Sequence, residues 1–243
     1  MRIVAVDVGN SRIKWGVWDD EWSNRNSVPI AQLETLALEW ERLAPPDAIH
    51  ASSVAASHVR QWMDGWAARR GVGIHWLSSG REQCGVRSAY REPTQLGSDR
   101  WASLIAAWHL VRGAALVINA GTAVTIDALS AEGEFRGGVI VPGLTLMASS
   151  LASGTAGLPR VPGAVAEFPN NTADAIATGA VYAVCGAITR MRSALLKTGV
   201  VPQIVLSGGA AAVIEPQLEA PVLTVPFLVL EGLRIVAIAE RTA

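Results

Sequence analysis

Two cysteines and four histidines are all that the 243 residues offer to soft metals or to disulfide chemistry. Cys84 and Cys185 are far apart and form no C-x-x-C motif, and the histidines show no ligand spacing, so neither a zinc site nor a disulfide framework is expected. Charge of one sign is also lacking: 20 Lys+Arg against 21 Asp+Glu leave a formal net charge of -1, and Arg69-Arg70 is the only basic doublet. Nucleic acid and anionic membrane surfaces are therefore not expected partners. No charged and then apolar leader opens the chain, and Gly, Asn or a charge interrupts each long apolar segment well before about 18 residues. The expectation is a protein of the cytoplasm that spans no membrane. Phe and Tyr are scarce, at 3 and 2, whereas all nine Trp lie at or before Trp108. Filling the core of the first half is the plain reading of those indoles, ahead of a stacking platform for bases.

What is present is a repeat. "IVAVDVGNSRIKWGVWDD" at the start is echoed by "LVINAGTAVTIDALSAEGE" near the middle. Each copy is an apolar run, an acidic or amide residue, a glycine, small polar residues and a second apolar run, which reads as strand, tight loop, strand. Ile3 to Val6 and Ile13 to Trp18 predict paired strands, with a further strand possible after them. Helical patterns follow over Ala31 to Leu43 and "VRQWMDGWAARRG", with strands at "DAIHASSV" and "GIHWLSS". From Ala114 the order restarts. "AALVINAGTAVTIDAL" predicts two strands, "FRGGVIVPG" a third, and helices are expected around Leu144 to Leu151 and over Thr172 to Leu196. "PQIVLSGGAAAVI" reads as strand, double glycine, helix, and the chain closes with a strand and a helix. With half of the residues hydrophobic there is apolar material for one or two cores. The repeat predicts an α/β protein duplicated about a boundary near residue 115, as two lobes over 1–114 and 115–243.

The chemistry is expected in the loops. In Asp7-Val8-Gly9-Asn10-Ser11 the glycine permits close backbone approach, and successive N–H groups can form an anion-binding nest. Asp7 ends the first strand, where one carboxylate with phosphate oxygens and water would suit Mg²⁺. Gly121 and Thr122 are expected to repeat this geometry. A single such loop is most simply a hairpin turn; two at corresponding places point to a clasped polyphosphate. Leu206 to Ala211 offers two glycines against which a flat base and sugar would lie, although Gly-Gly by itself often only makes a turn. In "YREPTQLGSDRWASLIAAW" Asp99 and Arg100 are expected just before an amphipathic helix. They would serve there as a cap and first-turn charge pair, or as a general base beside a cationic clamp.

In order along the chain, Asp7 to Ser11, Gly97 to Arg100, Gly121-Thr122-Ala123 through Asp127, Gly137-Gly138 with Pro142-Gly143, and Asn171-Thr172 with Ala175-Ile176 resemble the motifs of the type III pantothenate kinase family. That resemblance implies the duplicated ribonuclease-H-like fold of acetate and sugar kinases, heat-shock ATPases and actin, with two lobes around a nucleotide cleft. It implies a homodimer that transfers the γ-phosphate of ATP to the 4′-hydroxyl of pantothenate, the first step of coenzyme A biosynthesis. By the same resemblance Asp7, Val8, Gly9, Asn10, Ser11, Arg12, Ile13, Lys14 and Thr122 bind ATP and its Mg²⁺, and Asp99 is the catalytic base. Tyr90, Gly97, Ser98, Asp99, Arg100 and Thr172 line the pantothenate pocket, which such enzymes build at the dimer interface.

Strand alternation leaves Lys14 open to simple solvation on the face opposite Ile13. Asp127 could hold Mg²⁺ through water or close a turn. The "NNT" at Thr172 matches a glycosylation sequon, which an expected cytoplasmic location makes irrelevant. One position departs from the family pattern: most members carry Asp at the head of the second loop, where it helps to bind K⁺ or NH₄⁺, and here Asn119 stands. An amide oxygen ligates such an ion without a full charge, so a weakened site is expected. Two alternatives remain at this level: another small-alcohol kinase or a phosphatase of the same superfamily, and a non-catalytic regulatory or interaction relative.

Overall fold

The central strand of the first sheet, β1 (Ile3–Val8), is buried along its whole length because both of its faces are covered. It pairs antiparallel with β2 (Arg12–Asp19), which pairs antiparallel with β3 (Glu21–Pro29). After α1 (Leu33–Glu41), β4 (Ala48–Ser53) joins the other side of β1 in parallel. α2 (Ser57–Ala68) then leads to β5 (Ile74–Trp76), parallel to β4. The structure, a computed structural model, describes every residue except Ala56, Pro159, Arg160, Glu219, Ala220 and Ala243.

Strand alternation sorts β1 between two cores. Val4, Val6 and Val8 pack with Ile13, Trp15, Leu36, Trp40, Ile49, Met63 and Trp66, under α1 and α2. Trp15, Trp40 and Trp66 meet edge to face, with centroids 6.3 and 5.0 Å apart. The indole N–H groups of all three are buried without a hydrogen-bond partner among the described residues. Each such orphan costs about 1–3 kcal/mol, so packing area and ring geometry, rather than polar bonds, hold this core.

The other face of β1 carries Ala5 and Asp7. Two strands that the sequence did not signal follow β5: β6 (Glu82–Gln83) and β7 (Val86–Ser88), joined by Cys84 and Gly85 at φ 49° and 81°. Two residues and three are too few for a period to register. The adjacent positive φ values are those of a tight hairpin turn. A single 3₁₀ turn over Pro93–Gln95 precedes α3 (Ser98–Val111).

The second unit repeats the pattern. β8 (Ala115–Ala120), β9 (Ala123–Leu129) and β10 (Glu134–Pro142) form an antiparallel meander, with a bulge between Phe135 and Gly137 that Gly137 accommodates at φ 127°. α4 (Leu144–Gly154) and α5 (Thr172–Leu196) follow, then β11 (Gln203–Ser207), parallel to β8, then α6 (Ala211–Ile214) and β12 (Val222–Thr224), parallel to β11. Numbered from the start of each set, strands β1 to β5 and strands β8 to β12 both run 3-2-1-4-5, the duplication expected from the repeat. The second core gathers Leu116, Ile118, Val124, Ile126, Val184, Ile188, Leu195 and Leu206.

The last helix, α7 (Leu228–Thr242), belongs with the first unit. The compact units are Met1–Leu110 with Phe227–Ala243, and Val111–Pro226. Val229, Leu230 and Leu233 close over Ala5 and Ala102, on the face of β1 that carries Asp7. A Cβ at Gly232 would overlap the Ala102 backbone, so α3 and α7 meet at a glycine. Trp22 donates to Glu231 at 2.7 Å and Arg234 stacks 4.4 Å from the Trp18 ring, which pins α7 to the β2–β3 hairpin.

The expectation that every apolar segment is interrupted short of a membrane span needs correction. By length and composition α5 is long and apolar enough to cross a membrane. Its Val184, Ile188 and Leu195 instead pack in the second core.

Candidate functional site

In the first unit, β1 delivers Asp7 to the end of the sheet at 4% exposure. The strand register sets Lys14 of β2 directly opposite and Ser52 of β4 on the other flank. Lys14 Nζ lies 3.2 Å from Asp7 Oδ2, and Ser52 Oγ donates to Asp7 Oδ1 at 3.0 Å. Lys14 is thus an ion-pair partner of Asp7, which answers the alternative of simple solvation. Ser52 belongs to no sequence motif; only the parallel register of β4 on β1 exposes its role.

The loop between β1 and β2 closes when Gly9 N–H donates to the Arg12 carbonyl at 3.1 Å. Asn10 and Ser11 stand exposed at its tip. Val8 and Ile13 are fully buried, so they anchor the two ends of the loop in the core. The Arg12 guanidinium is drawn to β3, donating to Ser27 Oγ and to the Ser27 carbonyl, each at 2.7 Å.

Asp99 and Arg100 lie inside the first turn of α3 rather than just before the helix. The Asp99 carboxylate accepts from Arg100 N–H at 2.8 Å. Burial raises its pKa above the ordinary aspartate value, and the Asp7 charge raises it further. A Cβ on Gly97 would sit 2.6 Å from Asp99 Oδ1, so the missing side chain leaves that oxygen its room. Ser98 Oγ accepts from Ser53 N–H at 3.2 Å, fastening the start of α3 to the end of β4. Arg100, 6% exposed, reaches Tyr90 Oη at 3.5 Å, and half-buried Tyr90 donates its own N–H to Ser88 Oγ at 3.3 Å. Asp7, Lys14, Asp99, Gly97, Ser98, Arg100 and Tyr90 therefore fall in one unit on connected elements. Two carboxylates near enough to affect each other, with one ammonium between strands, form a donor set that fits a divalent cation with its phosphate oxygens.

The second unit holds the rest. Val8 faces Ile13 across four loop residues, whereas Ala120 faces Val124 across three, so the two loops are shorter and longer versions of a hairpin and not one repeated geometry. Gly121 N–H donates to the Ala123 carbonyl at 3.1 Å, and Thr122 is exposed. Gly143 donates to the Thr122 carbonyl at 2.9 Å, and a Cβ on it would come within 2.6 Å of that oxygen, so the Pro142-Gly143 step buttresses the loop from beneath. Gly208, at φ 105°, packs on the end of β8, where Ala210 N–H donates to the Ala120 carbonyl at 3.1 Å. This brings the double glycine beside the loop.

Asn119 is register-paired with Thr125, whose buried Oγ1 makes no hydrogen bond among the described residues. Asp127 is fully buried inside β9, so it does not close a turn. Thr172 opens α5 behind the Asn171 cap, which accepts from Asp174 N–H at 3.0 Å. It lines an open groove of about 460 Å³ between α4 and α5, together with Met147, Leu151 and Ile176.

Residues 3–194 match the sequence model of a family described as type III pantothenate kinase. The type III pantothenate kinase of Nitrosospira multiformis is 43% identical over 243 residues, covering 99% of this chain and 92% of the relative. That of Chromobacterium violaceum is 43% identical over 237 residues, covering 96% and 98%. The chain belongs to the type III pantothenate kinase family. Among solved structures it resembles a Baf family transcriptional activator of Campylobacter jejuni, with a TM-score of 0.63 at 19% identity over 99% of this chain and all of that one. A 2-dehydro-3-deoxygalactonokinase protein of Sinorhizobium meliloti gives 0.59 at 17% identity over 99% and 98%. At such identities these two similarities establish the fold alone: the chain shares the duplicated ribonuclease-H-like architecture.

Proposed function

We propose that this chain phosphorylates pantothenate with ATP through Asp99 as the base. The observation that carries the reading is the Asp99 carboxylate, pushed upward by burial and by Asp7, given space by Gly97, and followed by an Arg100 directed at Tyr90. A carboxylate whose affinity for protons is raised is better suited to accept one from an alcohol. In the reaction a bond forms between the 4′-oxygen of pantothenate and the γ-phosphorus. The bond from that phosphorus to the bridging oxygen of ADP breaks, and the hydroxyl proton passes to Asp99. Phosphoryl transfer asks the protein mainly for position and neutralised charge.

Asp7 would hold Mg²⁺, which would supply positive charge to offset that of the phosphates. Lys14 limits the negative charge beside it, and the exposed tip residues Asn10 and Ser11 and the Gly9 backbone would meet the phosphates, as would Thr122. Val8 and Ile13 would act by anchoring that loop in the core, and Arg12 by tying it to β3. Tyr90, Gly97, Ser98 and Arg100 would line the acceptor pocket, with Thr172 contributing at the interface with a second copy of the chain. Asn119 and Thr125 offer two neutral side-chain oxygens, which fit a weakly held K⁺ or NH₄⁺. The repeat halves, 1–114 and 115–243, each supply one phosphate loop.

A homodimer is supported by the surface of α4 and α5. No α4 residue is buried, and Leu146, Leu151, Tyr182 and the 84% exposed Phe168 present apolar surface in a single copy. That surface suits a second copy of the chain. Balanced charge supports a cytoplasmic protein without nucleic-acid or membrane partners. The test of the activity is ATP consumption with pantothenate, with short polyols and with no acceptor, in wild type and in Asp99→Asn. Turnover with pantothenate alone, lost in the variant, is expected; equal turnover with polyols would overturn the substrate.

A further inference from the structure

His50, His75 and Glu240 are far apart in the chain and play no part in the site described above. They converge because β4 and β5 are neighbours with His50 and His75 in register, and because α7 crosses the same face. The imidazoles stack at 4.7 Å with an interplanar angle of 6°, the separation that adjacent strands impose. One ligand atom from each of the three residues lies within 4.8 Å of the other two.

His50 is 4% exposed, and its imidazole faces His75 and Glu240. Its Nδ1 is 3.9 Å from Glu240 Oε2, too far for such a bond. Around a tetrahedral ion with bonds of about 2.0–2.1 Å, two ligand atoms stand about 3.3 Å apart. The exposed Glu240 and His75 side chains can close that difference by small rotations.

We propose that His50, His75 and Glu240 form a binding site for a divalent transition metal of the Zn²⁺ class. Two imidazoles and one carboxylate suit Zn²⁺ or Co²⁺ and disfavour Mg²⁺, which prefers oxygen ligands, so the site is chemically separate from the one for metal-nucleotide. A fourth position is left for water. Burial, with the neighbouring His75, holds the His50 pKa down to about 4, so near neutral pH the ring offers a lone pair to a metal rather than a proton to Glu240. Occupancy would tie the end of α7 to β4 and β5, and Ser52, the Asp7 partner, lies two residues further along β4.

The test is calorimetric titration of the untagged, chelator-treated full chain with Zn²⁺ alone and without nucleotide. It is paired with visible absorption on Co²⁺ addition and with thermal melting. One equivalent bound, tetrahedral Co²⁺ bands and a melting temperature raised by Zn²⁺ are expected. His75→Ala and Glu240→Gln, both at exposed positions, should weaken Zn²⁺ binding at least tenfold and abolish the melting shift, while Mg²⁺-supported pantothenate turnover stays unchanged. Cys84→Ser should bind like wild type. Absent binding by the wild type would overturn the site. So would His75→Ala and Glu240→Gln titrating like the wild type, or binding lost only in Cys84→Ser.

Discussion

The two hairpin loops, Val8 to Ile13 and Ala120 to Val124, occupy the same place in two sets of five strands of the same order, yet their chemical surroundings differ. The first loop is headed by a buried carboxylate held by Lys14 and Ser52. The second is headed by the amide Asn119, beside the buried Thr125 hydroxyl, which has no hydrogen-bond partner among the described residues. Duplication fixed the backbone course of both, because topology depends on which strands pair. Charge was free to diverge, because a single side chain at a strand end alters the local field without altering the pairing. One loop is therefore built around fixed charges and the other around neutral oxygens.

The largest expected break in this comparison lies on the charged side. Asp99→Asn should lower kcat by about 10² or more with nucleotide binding nearly intact, measured by steady-state kinetics and nucleotide titration. The same variant tests the burial. Because the folded pKa of Asp99 is raised, its contribution to stability is fully present below the unfolded pKa and is lost as pH rises through the folded value. Asp99→Asn should accordingly be at least as stable as wild type near pH 7 in denaturant unfolding. The acid limb of wild-type kcat/KM should lie above the ordinary aspartate range.

Next comes Asp7→Asn, expected to cost about tenfold in kcat/KM for Mg-ATP, partly recovered at higher Mg²⁺. An unfolded variant would instead assign Asp7 to stability. Gly97→Ala should act through Asp99, because its Cβ would arrive 2.6 Å from Oδ1 and displace the carboxylate. A several-fold loss of kcat with little change in KM for ATP is the expected result. Leu151→Glu, on the exposed face of α4, should shift sedimentation from dimer to monomer and remove activity with it.

The smallest effect sharpens the neutral side. Two unit charges about 3 Å apart attract by roughly 5 kcal/mol at an effective dielectric near 20, before desolvation is charged against them. Asn119→Asp should therefore move the K⁺ activation midpoint to lower concentration. KCl titrated against choline chloride at constant ionic strength checks this. An unmoved curve would show that other groups hold the ion.

The sequence was most legible where local physics is strongest. The span of α5 follows from the Asn171 cap and the apolar pattern after it, and the strands around both glycine loops follow from β-branched runs with sharp ends. Gly97 belongs to a motif legible in the sequence, but its purpose, space for Asp99 Oδ1, depends on how the start of α3 folds back on itself. The hairpin at Glu82 to Ser88 and the first-turn position of Asp99 lay below the resolution of pattern reading, because elements of two or three residues carry no period.

Alone, the sequence determined the duplicated α/β plan, the family and the residue types available for phosphate, metal and proton. These are carried by order along the chain and by short-range preferences, which need no knowledge of distant neighbours. Tertiary structure decided that Lys14 and Ser52 both serve Asp7, that α7 returns to the first unit, and that His50, His75 and Glu240 meet. Strand register and helix docking bring together residues as distant as Trp22 and Glu231, 209 positions apart, and no spacing in the sequence encodes that closeness.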